Sequence, residues 1–253
     1  MRAVLIAIAL ALPNLAAMAQ DQTPQPQIRA AASVERSQLS GGLDDWTEYS
    51  VGLSRRSGPR EVVEASLLET RRFGIKDTQL AAGFSHPLSS ALTLSVDASI
   101  SSTHRVLAQR ALGAVLQYEF AHSWLVHGGY RHTRYDNTNV QRGTIRLEHY
   151  FGDFSASAGW YPVRALGTRA DSFDARAAWY YAQDSSVGIA IARGDEATQV
   201  AAGAIVMAPV RSVAISGRQA LGPRLSLNWS LFRSEQGNFY TRTGFYAGVQ
   251  AVF

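Results

Sequence analysis

Apolar and polar side chains alternate along most of this chain. Beyond about Ser33, segments of roughly 9 to 13 residues repeat the pattern, with turn residues between them. Leu92, Leu94, Val96, Ala98 and Ile100 alternate with Thr93, Ser95, Asp97 and Ser99. Leu112, Ala114, Leu116, Tyr118 and Phe120 alternate with Gly113, Gln117 and Glu119. Phe173, Ala175, Ala177, Trp179 and Tyr181 stand against Asp174, Arg176 and Tyr180, and Leu225, Leu227, Trp229 and Leu231 against Ser226, Asn228 and Ser230. Successive strand side chains point to opposite faces, so each segment has one apolar and one polar face. A soluble β-sandwich alternates in the same way. Two features favour a membrane barrel. The polar faces are rich in small residues, and aromatics sit at segment ends (Tyr118 and Phe120, Trp124 and Tyr130, Tyr150 and Phe151, Trp179 and Tyr181), where interfacial girdles belong.

Thirteen segments stand out, at 46–56, 61–73, 77–86, 91–101, 110–120, 123–135, 140–151, 153–163, 171–182, 186–194, 209–219, 224–234 and 240–253. Single-chain bacterial barrels have an even number of strands, so thirteen is one short. The last segment sets the direction. Its outward set is Phe245, Ala247, Val249, Ala251 and Phe253, and its inward set Arg242, Gly244, Tyr246, Gly248 and Gln250. Phe253 at its end resembles the signal by which the barrel-assembly machinery recognises its substrates. With that strand running toward the periplasm, the tight connections at Pro59, Ala121-His122, Gly152-Asp153, Asp184-Ser185 and Gly222-Pro223 become periplasmic. The longer links 103–109, 166–170, 195–208 and 235–239 become extracellular, which matches the short-turn, long-loop asymmetry of such barrels. The segment starting at Trp46 must then be preceded by another strand, and 33–39 (SVERSQL) is the candidate. The expectation is an all-β chain: a transmembrane antiparallel up-and-down β-barrel of about 14 strands, with about 12 as the alternative.

The start of the chain names the compartment. Arg2, the apolar run 3–12 and the small-x-small triplet Ala17-Met18-Ala19 make residues 1–19 a cleaved signal peptide. The run is too short to span the ~30 Å of hydrocarbon as a helix. The Gln- and Pro-rich stretch 20–32 reads as a flexible lead-in, leaving 33–253 for an outer-membrane barrel. The chain has no cysteine, which excludes disulfides, thiolate metal sites and cysteine nucleophiles. Its net charge of +4 is small and dispersed, with no basic stripe for nucleic acid.

Several landmarks recur in order: Asp45-Trp46, Arg55-Arg56, Arg71-Arg72-Phe73 with Asp77 and Gln79, Gly129-Tyr130-Arg131, Tyr150-Phe151-Gly152 and Gly194-Asp195-Glu196. The series resembles the YaiO-type outer-membrane barrel family over residues 34–253. Where that family usually carries a proline before the acidic pair, this chain reads Arg193-Gly194-Asp195-Glu196. The resemblance implies an outer-membrane barrel, in some relatives joined to helical repeats of polysaccharide-export systems.

On this facing, the lumen candidates are Glu64, Arg72, Asp97, Glu119, Arg131, Arg142, Arg146, Glu148, Asp174 and Arg176. Mixed signs favour a network of cross-strand pairs over a single-sign selectivity ring, although Arg131, Arg142 and Arg146 form a cluster that would attract anions. A surface-acting hydrolase is the competing class. His132 with Asp136, or His149 with Ser155, would be its starting points, but neither makes a motif and no GxSxG occurs. Asp195 and Glu196 fall well short of the 6 to 8 oxygens calcium takes. Arg164, Arg169 and Arg193 stand near extracellular strand ends, within reach of lipopolysaccharide phosphates. The sequence thus predicts a small channel or an export- or secretion-associated barrel in the bacterial outer membrane, with a plugged structural or adhesion barrel as a further alternative. It predicts no catalytic, metal or cofactor site, and as partners membrane lipid, lipopolysaccharide and the assembly machinery.

Overall fold

A computed structural model describes residues 26–253. The signal-peptide reading and residues 20–25 of the lead-in lie outside the described residues. In chain order the strands are β1 (Gln27–Leu39), β2 (Trp46–Arg56), β3 (Val62–Arg72), β4 (Ile75–Pro87), β5 (Leu92–Ser101), β6 (Arg110–Ala121) and β7 (Trp124–Arg134). They continue with β8 (Asn139–Phe151), β9 (Phe154–Ala165), β10 (Thr168–Ala182), β11 (Ser185–Ala201), β12 (Ala204–Ala220), β13 (Leu225–Gln236) and β14 (Tyr240–Val252). Each strand pairs antiparallel with its sequence neighbours, and β1 pairs with β14 to close the barrel.

The extra strand required by the even-number rule is present, but it begins earlier than expected. Residues 27–32, read from sequence as part of a flexible lead-in, pair with both β2 and β14 from Arg29 opposite Val252 onward. The cause is closure. A strand on the open edge leaves a row of unpaired N–H and C=O groups, and in a bilayer nothing else can satisfy them.

The two faces follow the alternation. Leu53, Leu112, Leu116, Ile191, Leu231 and Val249 are among the large apolar side chains left exposed on the outside. The buried residues are instead mostly on the inner face and include Thr70, Arg72, Asp77, Gln79, Asp174, Gln236 and Arg242. An exposed apolar exterior around a polar interior is the inverse of a soluble domain, and hydrocarbon is the solvent in which it is stable.

An even strand count puts the start of β1 and the end of β14 at one rim, here the terminal rim. Its links are short, at 57–61, 88–91, 122–123, 152–153, 183–184 and 221–224. An outward chain of rings runs along it from β6 to β10. Phe120 lies 6.3 Å from Trp124, Trp124 4.0 Å from His149 and His149 5.6 Å from Phe151. Phe151 lies 6.0 Å from Phe154, Phe154 6.4 Å from Trp179 and Trp179 5.4 Å from Tyr181. Tyr150, grouped with Phe151 from sequence, stands on the opposite face, 6.3 Å from Tyr180.

The opposite, far rim departs from the sequence expectation. The stretch 195–208 is a continuation of β11 and β12, paired from Asp195 opposite Pro209 to Gln199 opposite Ile205, and no long loop exists there. The links expected at 166–170 and 235–239 shrink to 166–167 and 237–239. Backbone pairing outlasts the alternation pattern in these stretches, which is why the pattern missed them.

The β1 seam gives a direct test. Deleting residues 27–32 is expected to destabilise the barrel by about 3 kcal/mol or more, at roughly 1 kcal/mol per lost backbone hydrogen bond. The urea midpoint for loss of the folded, heat-modifiable gel band measures it, and loss of a merely flexible lead-in would leave that midpoint unchanged.

Candidate functional site

The interior carries charge at every level, and its pairing differs from simple nearest-neighbour contact. Asp97 on β5 and Arg131 on β7 form an ion pair across the whole width of β6. Arg146 on β8 reaches Asp174 on β10 at 2.9 Å across β9. The residue between each pair is a glycine. A Cβ at Gly113 would stand 2.6 Å from Asp97 Oδ1, and one at Gly159 2.5 Å from Asp174 Oδ1. Side-chain bulk on the middle strand would therefore sever both bridges. Asp174 also accepts from Arg176 Nη2 at 2.7 Å and from the Tyr161 hydroxyl at 3.2 Å, while Arg142 lies over the Tyr161 ring at 4.3 Å.

The remaining lumen candidates fall around these pairs. Arg72 donates to Glu48 at 3.2 Å, His127 and Glu148 are 2.9 Å apart, and Glu119 accepts from the Ser123 amide at 3.3 Å. Glu64 faces Gly83 across the β3–β4 ladder. Of the expected cationic cluster, Arg131 is paired with Asp97 and Arg146 shares Asp174 with Arg176, while Arg142 rests over the Tyr161 ring and has no ion pair among the described residues.

Arginines with fewer carboxylates near them lie elsewhere. Arg29 (β1), Arg56 (β2) and Arg218 (β12) occupy inner-face positions toward the terminal rim, within electrostatic reach of one another and of Asp184. The Nε atoms of Arg29 and Arg218 are buried without a hydrogen-bond partner among the described residues. None of the three was singled out from the sequence as lining the lumen. Strand parity carries the signal for Arg56 and Arg218; Arg29 was hidden in the supposed lead-in.

At the far rim the interior is closed by chain. The link 102–109 turns into the barrel, where Val106 and Leu107 are 0% exposed. Asp77 on β4, also 0% exposed, accepts from the Val106 and Leu107 amides at 2.6 and 3.0 Å. From the other side comes the tip of β11–β12. Pairing of β10 with β11 stops at Ser172 opposite Gly194, and that of β12 with β13 at Val210 opposite Gln236. Gly194 has φ +151°, a conformation side-chain-bearing residues avoid, and Pro209 faces Asp195 one step beyond.

Past this bend the hairpin lies across the mouth. Thr198 donates to Gln236 at 2.9 Å, and the Tyr240 hydroxyl to the Gln199 carbonyl at 2.8 Å, both contacts skipping β12. At the tip, the Gly203 amide donates to the Arg105 carbonyl at 2.9 Å, and Asn137 to the Gly203 carbonyl at 2.7 Å. Ala197 and Ile205 bury against Ala108, Tyr135 and Ala165. Asp195 and Glu196 are therefore strand residues, not loop carboxylates.

Beside this hairpin, Trp46 packs edge-on against Phe73 and Tyr240 at 5.3 and 5.7 Å, with Arg72 and Arg242 at 4.8 and 4.7 Å from its ring. Arg242 is 2% exposed, ion-paired with Glu35 and bonded to Ser37 at 2.9 Å. Trp46 and the run Arg72, Phe73, Asp77 and Gln79, two landmarks in the sequence, both lie at this mouth.

The hydrolase starting points are not assembled. His149 lies on the outer face, stacked on Trp124, whereas Ser155 is opposite Tyr150 and bonds the Tyr180 hydroxyl inside at 3.2 Å. Asp136 pairs with His104, and His132 stands opposite Leu112 on the outer face. Among the described residues no group of three or more His, Asp or Glu is placed to hold a metal.

A model of the YaiO membrane beta barrel domain matches residues 27–198. No curated protein matches the sequence. Among solved structures, the CymD monoaromatic hydrocarbon channel is similar at TM-score 0.65 and 10% identity, over 92% of this chain and 89% of that one. A bacterial polysaccharide outer membrane secretin is similar at 0.58 and 8%, over 92% and 100%. OmpF of Salmonella typhi is similar at 0.52 and 8%, over 91% and 98%. At such identities the likeness is one of fold.

Arg242 offers the sharpest structural test. Arg242→Met would strand the Glu35 carboxylate in the interior and is expected to cost about 3–5 kcal/mol. The double variant with Glu35→Gln should recover most of that loss in the same urea titration.

Proposed function

The chain belongs to the YaiO membrane β-barrel family and is a protein of the bacterial outer membrane; on that premise we propose that it is a small gated channel that favours anions and has no catalytic step. The observation that carries this reading is the kind of closure at the far rim. The wall there is intact, and the obstruction is a hairpin attached through the Gly194–Pro209 bend and held by a small set of hydrogen bonds. A purely structural barrel would have no need of a closure seated at a bend. Below the hairpin the interior is lined by charge pairs, and Arg29, Arg56 and Arg218 at the terminal rim would concentrate anions as a cationic entrance does.

Export or secretion is the second reading, supported by the inward-facing arginines at the rim that carries the termini. It differs from the first in the size of what passes.

Planar-bilayer recordings test the gate. Wild-type protein is expected to be closed most of the time, and a variant with residues 197–206 replaced by Asn-Gly to conduct steadily. Equal conductance of the two would remove the gate; silence of both would leave a plugged barrel. In a salt gradient across the shortened variant, Arg29→Gln with Arg56→Gln and Arg218→Gln should lower the chloride-to-potassium permeability ratio roughly several-fold. An unchanged reversal potential would sink the anion preference.

A further inference from the structure

Four arginines on the outer face occupy one contiguous arc of the far rim. Arg110 on β6 lies directly opposite Arg134 on β7, and Arg164 on β9 directly opposite Arg169 on β10. Asn139 faces Arg134 and Gln141 faces Arg164, so β8 joins the two pairs. The row runs over five strands without a carboxylate. Asp171, one outward step from Arg169, already accepts from the Trp160 indole at 2.7 Å. All four arginines are exposed, and none has an ion-pair partner among the described residues.

Like charges placed directly opposite on neighbouring strands destabilise a sheet. Two such pairs in one row call for an anion from outside the chain.

The position of the arc says which anion. Each arginine stands ten residues along its strand from a ring of the terminal-rim aromatic chain: Phe120 to Arg110, Trp124 to Arg134, Phe154 to Arg164 and Trp179 to Arg169. Ten residues of strand span ~33 Å. Tilted by the ~40° usual for such barrels, that rises ~25 Å, the height of the outward apolar band. The arginines thus sit at one edge of the hydrocarbon and the aromatics at the other. Gln27 and Val252 lie at the aromatic edge, while the longest link, 102–109, and the overlong β11–β12 hairpin lie at the other, which marks the aromatic edge as periplasmic, so the arginines meet the outer leaflet.

We propose that this arc docks the phosphorylated headgroup of an outer-leaflet glycolipid, the lipid A portion of lipopolysaccharide. Guanidinium forks take phosphate oxygens in bidentate geometry. A phosphate between Arg110 and Arg134, and another between Arg164 and Arg169, converts each repulsion into a clamp. Asn139 and Gln141 supply amides for the sugar between them. The site is independent of the gate, because it faces lipid and its occupancy is read without current.

Native mass spectrometry of the full protein with defined lipids tests it. Wild-type protein is expected to bind bisphosphorylated lipid A roughly tenfold or more tightly than dephosphorylated lipid A, a comparison that needs no variant. The variant R110Q/R134Q/R164Q/R169Q should lose the same roughly tenfold while keeping its heat-modifiable gel shift. Equal binding of the two lipid A forms overturns the proposal. So does phosphatidylglycerol bound as tightly as lipid A and lost in the same variant, since the arc would then be a general anionic-lipid surface.

Discussion

Hydrocarbon offers a backbone amide no partner, and each unsatisfied N–H or C=O there costs several kcal/mol. Closure of the β1–β14 seam is therefore the condition on which everything else in this molecule rests. It explains why Gln27 to Ala32, a stretch with little apolar pattern of its own, is strand. Two neighbours are waiting for it, and pairing on both sides outweighs a weak local preference. It also fixes the interior, because a ring of fourteen strands has a width that the sequence cannot adjust.

That width creates the second problem. Eight strands enclose a space that side chains fill, and 16 to 18 leave an aqueous pore. Fourteen fall between. The protein answers differently at different depths. In the middle it stretches ion pairs across an intervening strand, with Gly113 and Gly159 keeping the crossing clear. At the far rim it fills the opening with backbone, and there Asp77 serves as an anchor for the amides of the inturned link. A carboxylate so deeply buried is tolerable because it accepts two amide hydrogen bonds and lies 3.6 Å from Arg105.

Period-two alternation made the barrel, the inward and outward sets of the last strand, and the need for a strand before Trp46 legible in the sequence. The even-number rule turned the thirteen visible segments into an expectation of fourteen, which the closed barrel meets. The same alternation put Asp97, Arg131, Arg146 and Asp174 on one face. It could not assign their partners, since partner choice depends on register across two ladders and on where glycines fall between them. It was blind to 195–208, because a hairpin that leaves the wall no longer has one lipid face and one lumen face to write into its residues. Tyr150 went astray for a related reason: neighbours at a strand end, Tyr150 and Phe151, look alike in sequence but face opposite ways.

The lid and the wall also differ in what holds them. Where β11 and β12 outrun their neighbours, both edges of the hairpin would stand unpaired. Bending at Gly194 gives those edges something to meet: Gln236 and Tyr240 on one side, Arg105 and Asn137 at the tip. Yet the mouth, unlike the wall, borders water. If the hairpin lifts, water can take over its exposed backbone groups at a net cost of about 1 kcal/mol per hydrogen bond rather than the full penalty of an unmet group. Ala197 and Ile205 add a small apolar term to the closed side. The hydrogen bonds of the wall have no such substitute. On the proposed gating, one chain would carry two kinds of β-pairing, a permanent one set by lipid and an exchangeable one set by water, with the boundary between them at Gly194 and Pro209.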